Sequence, residues 1–178
     1  MEHSQSSPLW RRSATAVACA AVLGVGAAVA PAIAGVAFNF KSDLRDFAPA
    51  ATGPFDGARA KLTLVATDST KAVLVVHGVD PAVAGRTFGA HLHLGPCVAG
   101  SGASALGHYN HSTTSPLTVN DQTEIWLDFT VDDEGNAQSS AAVDWAPVPG
   151  ARSVVIHANP TAPDGTAGAR LACLPVEW

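Results

Sequence analysis

The chain has 178 residues, of which 47% are apolar and 14% charged, and its formal net charge is −5 at pH 7. This length predicts one globular domain with a further segment at one end. The acidic balance, with no basic stripe, argues against nucleic acids and anionic membrane surfaces as partners.

The N-terminal segment has the pattern of a secretory signal peptide. Arg11 and Arg12 precede an uncharged run rich in alanine and valine, which ends in the small residues Ala32 and Ala34. A basic start, an apolar centre and an A-x-A end predict export and cleavage after Ala34, leaving 35–178 as the mature domain. The alternative is an uncleaved membrane anchor. We therefore expect a secreted or otherwise extracytoplasmic protein, in the cell envelope or a periplasm-like space, without stable membrane association after cleavage.

Removal of that segment changes both the cysteine count and the charge. Cys19 lies within it, so Cys97 and Cys173 remain as an even pair in an exported protein, which predicts one disulfide. The mature chain keeps 14 acidic and 8 basic residues, a net charge of −6. Closing so long a loop contributes about 4 kcal/mol in the chain-entropy model.

Downstream of the signal segment, short runs of alternating residues are separated by turn residues, which is typical of antiparallel β-strands. Turns are predicted at 68–70 and 132–135, and a long irregular loop, of a kind that is often functional, at 95–122. The pattern contains no convincing amphipathic helix. The fold class predicted is all-β, an antiparallel Greek-key β-sandwich or barrel of about eight strands with long functional loops. Strands are predicted at 36–40, 58–67, 71–78, 89–94, 123–131, 136–145, 152–158 and 168–174.

His91 and His93 lie two residues apart in the strand predicted at 89–94. Successive side chains of a strand point to opposite faces, so both imidazoles emerge on the same face. Two neighbouring imidazoles can form half of a site for copper, zinc, iron or nickel. The simpler alternative is the polar face of a half-exposed strand.

Four further histidines lie downstream of the signal segment. His77, at a strand end, is expected to be a surface or hydrogen-bonded histidine. His108 and His111 lie in the long loop, and His157 ends an apolar run. Histidines from the strand pair, the loop and this strand end would form an all-nitrogen site, which favours Cu(II).

Arg170 is the charged residue singled out beside this site. It lies three positions before Cys173, and the disulfide would tether the long loop, which begins near Cys97, close to it. A cation next to a copper site would attract and orient a small anion. The alternative is an ordinary arginine on a strand surface.

Four motifs, GAHLHLGPC, GHYN, SVVIHA and GARLAC, resemble the copper/zinc superoxide dismutases in order and residue type. The resemblance spans roughly residues 59–176. It implies an enzyme that disproportionates superoxide to oxygen and hydrogen peroxide while copper cycles between Cu(II) and Cu(I). The copper ligands that it implies are His91, His93, His108 and His157.

The same resemblance implies roles for other residues. Cys97 and Cys173 would form the disulfide of the family, and Arg170 would draw superoxide to the metal. His108 would be the bridging histidine, which releases its hold on reduced copper and helps to deliver a proton.

Two departures from the family pattern point to a copper-only member, which we expect to be exported and of bacterial type. In the zinc-containing members, further histidines and an aspartate follow the bridging histidine, whereas here His111 alone closely follows His108. Asp121 and Glu124 are the carboxylates that could complete a remnant, but a closed zinc site needs four ligands, so zinc is doubtful. A carboxylate here could instead hydrogen-bond the free nitrogen of His108. The segment 158–169 is also short, which predicts a more open copper cleft.

Two functions of other classes compete with the enzyme. One is an exported copper-binding or metallochaperone-like domain without significant dismutase turnover. The other is a sandwich that serves adhesion or protein interaction, with metal as a structural aid. Four copper ligands count against adhesion, and Arg170 favours an enzyme because storage needs no guide for an anion. A hydrolase is not favoured, because the sequence contains no G-x-S-x-G motif.

Overall fold

The computed structural model describes residues 36–49 and 52–178, so the predicted signal segment at 1–34 lies outside the described residues. Within them the chain forms ten strands and two short 3-10 helices, Pro81–Val83 and Gly102–Ala105. No helix in the described part is long and apolar enough to cross a membrane. The strands are β1 (Val36–Asp43), β2 (Arg45–Asp46), β3 (Arg59–Ala66), β4 (Thr70–His77), β5 (Thr87–Phe88), β6 (Ala90–His93), β7 (Phe129–Thr130), β8 (Ala137–Val143), β9 (Ala151–His157) and β10 (Arg170–Glu177).

These strands form two four-stranded antiparallel sheets and one two-stranded ribbon. The first sheet has the order β1-β3-β4-β8, the second the order β2-β10-β9-β6, and β5 pairs with β7. One hydrophobic core contains side chains from both large sheets. The predicted all-β antiparallel sandwich is confirmed.

The core follows from the alternation in the sequence. Leu62 of β3 lies opposite Leu74 of β4, and both are 1% exposed. Val154 of β9 and Leu174 of β10 form the matching pair in the second sheet. Each such side chain contributes roughly 1.5–3 kcal/mol when it is fully buried. The inward-facing side chains of these strands therefore form the core.

Of the two predicted hairpins, the first is present, whereas the second has its turn but not its strand pair, because β7 pairs with β5 and β8 pairs with β4. β3 and β4 pair across the turn expected at 68–70, and the turn at 132–135 precedes β8. In that second turn the Asp132 carboxylate accepts a hydrogen bond of 2.7 Å from the Asn136 amide. Gly135 has φ of +75°, and a Cβ there would lie 2.2 Å from the Val79 carbonyl oxygen. A residue with a side chain would therefore strain the turn.

The strand predicted at 89–94 is present as β6, and Gly89 separates it from β5, which belongs to a different sheet. The Gly89 amide donates to the Asn159 carbonyl, and its own carbonyl accepts from the His157 amide, both at 2.8 Å. A Cβ at Gly89 would lie 2.7 Å from the Cβ of Ala167. The loop after β9 can approach this closely only because the residue is glycine, and the close approach ends the continuous ladder.

The strand predicted at 123–131 is wrong over most of its length, since only β7 is regular there. The remainder runs beside β6 through two hydrogen bonds, from the Leu127 amide to the Ala90 carbonyl and from the Leu92 amide to the Ile125 carbonyl. Ile125 and Leu127 are buried, as the alternation predicted. The alternation of apolar residues therefore predicted correctly which side chains are buried, but the continuous strand pairing that it implied is interrupted.

Candidate metal centre

Strand β6 divides its side chains between the core and the opposite face of the second sheet. Ala90 and Leu92 belong to the core, whereas His91 and His93 point to the other side. Both imidazoles are nevertheless 0% exposed. The long loop covers them, because the Tyr109 amide donates to the Leu92 carbonyl at 2.8 Å.

Two further histidines reach the same place from different elements. His157 ends β9, two residues beyond Val155, which is the register partner of His91. His108 in the long loop forms an isolated antiparallel bridge with His93. One ring nitrogen from each of the four side chains lies within 4.8 Å of the others. The sandwich therefore gathers His91, His93, His108 and His157 into one cluster.

In three of these rings, Nδ1 faces a carbonyl or carboxylate oxygen, which can accept a hydrogen bond but cannot donate one. His93 faces the Leu106 carbonyl at 3.2 Å, His157 the Gly168 carbonyl at 3.2 Å, and His108 the Glu124 carboxylate at 2.8 Å. Each Nδ1 therefore carries the proton, and each Nε2 presents a lone pair. The Nε2 atoms of His93 and His157 lie 3.3 Å apart. Two lone pairs at this distance are stabilised when a cation lies between them.

The fourth ring is oriented the other way round. His91 places Nε2 at 2.6 Å from the Thr161 hydroxyl oxygen. Its Nδ1 is buried and has no hydrogen-bond partner among the described residues. A buried polar atom without a partner destabilises a fold by about 1–3 kcal/mol, and a bound metal ion would supply the missing partner. Imidazoles whose second nitrogen is held by protein oxygens are typical metal ligands, and an all-nitrogen donor set fits copper.

The protonation states suit metal binding. Burial, with the histidine cluster adding repulsion, lowers the pKa of His91 to about 2 and that of His93 to about 3. Burial likewise lowers the pKa of His157 to about 4. These rings are neutral at neutral pH, which is the form that binds a metal.

Glu124, one of the two carboxylates considered as a zinc remnant, is buried beside His108. It accepts hydrogen bonds from His108 Nδ1 at 2.8 Å, Trp126 Nε1 at 2.9 Å and Asn110 Nδ2 at 3.0 Å. Burial alone would raise the pKa of Glu124, but these hydrogen bonds outweigh it and lower the pKa. The carboxylate is ionised and fixes the ring of His108.

The other zinc candidates lie elsewhere. The ring of His111 is stacked on Trp145 at 4.8 Å between centroids, and Asp121 is exposed. Over residues 36–49 and 52–178, the four-histidine cluster is the single group of three or more His, Cys, Asp or Glu placed to hold a metal ion. His77 is exposed and hydrogen-bonded to Asn136 at 2.7 Å, as predicted.

Arg170 lies beside the cluster, at the position that the disulfide was expected to produce. Cys97 and Cys173 form a disulfide with a Cα–Cα distance of 5.6 Å across 76 positions of sequence. Arg170 donates to the carbonyls of Gly102 at 2.6 Å and Leu106 at 2.5 Å, both in the tethered loop. With His108 and His157, it lines an open cleft of about 750 Å³.

Sequence reasoning missed three residues that support the site. Thr161 contacts His91, and Asp128 accepts hydrogen bonds from the amide and the hydroxyl of Thr161. Arg45 donates to the Cys97 carbonyl at 2.7 Å. No local pattern marks these residues, because their partners lie at least 33 positions away in the chain.

Comparisons with known proteins place the fold but not the family. No protein-family model matches the chain, and no curated protein matches it. Among solved structures, a double mutant of a SOD-like protein from Bacillus subtilis is 16% identical over 78% of this chain and 97% of the other, with a TM-score of 0.51. The clock protein EA4 is 18% identical over 80% of this chain and 94% of the other, with a TM-score of 0.52. At such identities the likeness shows the fold alone: this chain has the β-sandwich fold of SOD-like proteins.

Proposed function

We propose that this chain is a superoxide dismutase, which disproportionates superoxide to oxygen and hydrogen peroxide at a copper site formed by His91, His93, His108 and His157. One observation carries the proposal. Four imidazole nitrogens converge within 4.8 Å, and the other nitrogen of each ring is held by a protein oxygen. Bound copper would supply the one-electron steps by cycling between Cu(II) and Cu(I).

Arg170 is the residue that attracts the substrate. Its guanidinium lines the cleft with two of the histidines, and its hydrogen bonds to Gly102 and Leu106 hold it in place. A fixed positive charge at the base of a cleft concentrates small anions there and raises their rate of association. The domain as a whole is acidic, so this local charge determines where superoxide binds.

His108 is the residue that delivers a proton. Its side chain is 19% exposed, whereas His91 and His93 are fully buried. Glu124 holds the Nδ1 proton of this ring, which leaves Nε2 directed to the cluster. Because Nε2 would also be the copper ligand, it could take a proton from solvent, and pass it to the reduced oxygen product, only while it does not hold copper.

The proposal is of a copper-only enzyme. Glu124 occupies the Nδ1 side of His108, which is where a second metal would have to bind a bridging imidazole. His111 and Asp121 lie apart from the cluster. The short segment 158–169 leaves the cleft open to solvent, which suits a small and fast-diffusing substrate.

We also propose that residues 1–34 are a signal peptide and that 35–178 act outside the cytoplasm. The disulfide between Cys97 and Cys173 supports this location, because such bonds persist in oxidising compartments. N-terminal sequencing of the protein recovered from its host would test the cleavage site, and a mature chain that begins at Met1 would contradict it.

The decisive experiment measures metal content and dismutase activity on one sample of residues 35–178. We expect one copper per chain and an activity well above that of the same concentration of free copper ions. A copper-loaded protein no more active than free copper would overturn the enzyme in favour of the copper-binding domain. A protein that binds no copper would overturn both.

A further inference from the structure

The outer face of the first sheet carries a charge opposite to that of the domain as a whole. Residues 35–178 contain eight basic side chains, and four of them project from this one face: Lys41, Arg59, Lys61 and Lys71. Among the outward-facing strand residues of this sheet, Asp43 is the one acidic residue. Because the net charge of 35–178 is −6, a polyanion is repelled by most of the domain and attracted to this face.

Strand register places two of these cations side by side. Lys41 of β1 is the direct partner of Lys61 of β3, and both side chains are exposed. Like charges directly opposite each other destabilise a pair of strands, whereas an anion between them would be attracted by both. Arg59 lies two positions before Lys61 on the same face. It donates from Nε to Asp43 at 2.7 Å, and its guanidinium has further N–H donors. The three cations together suit a negatively charged group.

Two adjoining concavities open on this face, one on each side of β4. The first has a volume of about 210 Å³, and its lining includes Lys41, Arg59, Lys61, Val75 and His77. The second has a volume of about 310 Å³, and its lining includes Val75, His77, Thr130, Asp132, Asn136 and Gln138. His77 Nδ1 lies 2.7 Å from Asn136 Oδ1, which ties the two linings together. The concavities therefore form one groove with a cationic end and a hydrogen-bonding end.

The chemistry of this groove matches that of a sugar acid. A uronic-acid unit has a carboxylate for the cationic end, hydroxyl groups for the amide and hydroxyl side chains of the other end, and an apolar ring face for Val75. The Asp132 carboxylate already accepts hydrogen bonds from the amides of Glu134 at 3.0 Å and Asn136 at 2.7 Å. These bonds offset its charge, and its remaining lone pairs can accept from sugar hydroxyls. A layer of lipid headgroups would use the cations but not the hydrogen-bonding end.

We propose that the outer face of the first sheet binds an acidic polysaccharide, with the carboxylates of its uronic-acid units at Lys41, Arg59 and Lys61 and its hydroxyl groups in the second concavity. A polymer fits better than a single sugar, because each exposed cation binds weakly and repeated contacts along a chain raise the overall affinity. The groove lies on the opposite sheet from the histidine cluster. The inference therefore goes beyond the proposed dismutase and does not depend on it.

Titration of the ¹⁵N-labelled protein with tetragalacturonate, followed by ¹H–¹⁵N correlation NMR, tests the proposal directly. We expect shifts of amide signals confined to β1, β3, β4, β8 and the turn before β8, and binding that weakens as the salt concentration rises. The methyl-esterified tetrasaccharide has the same rings without the charges, and it should bind at least about 5-fold more weakly. Signals that do not shift, or that shift only away from this face, would overturn the proposal.

Substitutions separate a local site from a general effect of charge. Lys61→Gln removes a cation inside the first concavity, and Lys71→Gln removes one on the same face but outside both concavities. We expect Lys61→Gln to weaken tetragalacturonate binding about 5-fold and Lys71→Gln less than about 2-fold. Gln138→Ala changes no charge and should weaken binding about 3-fold. Equal losses in the two lysine variants, with no loss in Gln138→Ala, would show unspecific attraction and overturn the site.

Cosedimentation with vesicles of phosphatidylglycerol tests a membrane as the partner instead. We expect the protein to remain in the supernatant. Cosedimentation without any binding of tetragalacturonate would assign this face to a lipid surface and overturn the proposal. Copper content and dismutase activity should be the same in Lys61→Gln as in the wild-type protein. If the wild-type protein has no dismutase activity, the proposed function fails, and the titrations still decide the role of this face.

Discussion

The outer faces of the two sheets obey the same alternation and yet have opposite environments. On the first sheet, Lys61 and Lys71 point away from the core and are exposed to solvent. On the second sheet the equivalent positions are His91, Ser153 and Val155, and all three are buried. The difference comes from what lies above each sheet. The long loop and the disulfide cover the outer face of the second sheet, whereas no segment among the described residues covers the outer face of the first. An outward-facing residue becomes part of a buried site only where another segment encloses it.

The largest effect is expected when one histidine is removed from the cluster on the covered face of the second sheet. His157→Ala leaves three imidazoles, and we expect copper affinity to fall by more than about 100-fold, beyond the 10–100-fold typical of losing a supporting partner. Dismutase activity should be lost with it. Metal analysis after dialysis against a chelator measures the change. His77→Ala, at an exposed histidine that ends β4 of the other sheet, is the control and should retain copper. Equal losses in both variants would contradict a specific site.

The second prediction concerns the disulfide, which tethers the long loop that covers the outer face of the second sheet. Replacing Cys97 and Cys173 together with serine removes a crosslink that spans 76 positions. We expect the free energy of unfolding to fall by about 4 kcal/mol in urea titrations, because the unfolded chain gains conformational freedom. Copper affinity should also fall, since the loop with His108 is no longer tethered. An unchanged affinity would show that the core alone holds the loop.

The third prediction probes the shared core beneath the uncovered face. Leu62 is 1% exposed, and Leu62→Ala should lower the free energy of unfolding by about 3 kcal/mol through lost burial and a residual cavity. One copper per chain should still bind to the folded protein. Lys61→Ala, the next residue on the same strand but facing solvent, should change stability by less than about 0.5 kcal/mol. A comparable loss at Lys61 would contradict the assigned faces.

The smallest effect is expected when the positive charge of Arg170, beside the long loop, is removed. Arg170→Ala should lower kcat/KM for superoxide about 10-fold and leave copper bound, because the focusing charge is lost while the four histidines remain. The dependence of kcat/KM on ionic strength should also weaken. Stopped-flow assays over a range of salt concentrations measure both, and an unchanged rate would remove Arg170 from the mechanism.

Much of the fold and part of the site could be predicted from local sequence. Alternation at Leu62 and Leu74 predicted the core faces, and the two-residue spacing of His91 and His93 placed them on one face whatever the rest of the chain does. The interrupted strand at 123–131 shows the limit. Alternation reports burial, but a continuous ladder also depends on the path of the partner strand.

The features that the sequence determined by itself therefore follow from a periodic pattern or from a residue count. They are the sandwich, the histidine pair and the disulfide between the two cysteines outside the predicted signal segment. The family resemblance already implied His108 as a ligand. The tertiary structure alone decided that Glu124 rather than Asp121 holds it, and that Thr161 and Asp128 hold His91. The physical reason is that these contacts join loops whose backbone path is set by long-range packing. A single hydrogen bond between distant residues leaves no period in the sequence from which it could be predicted.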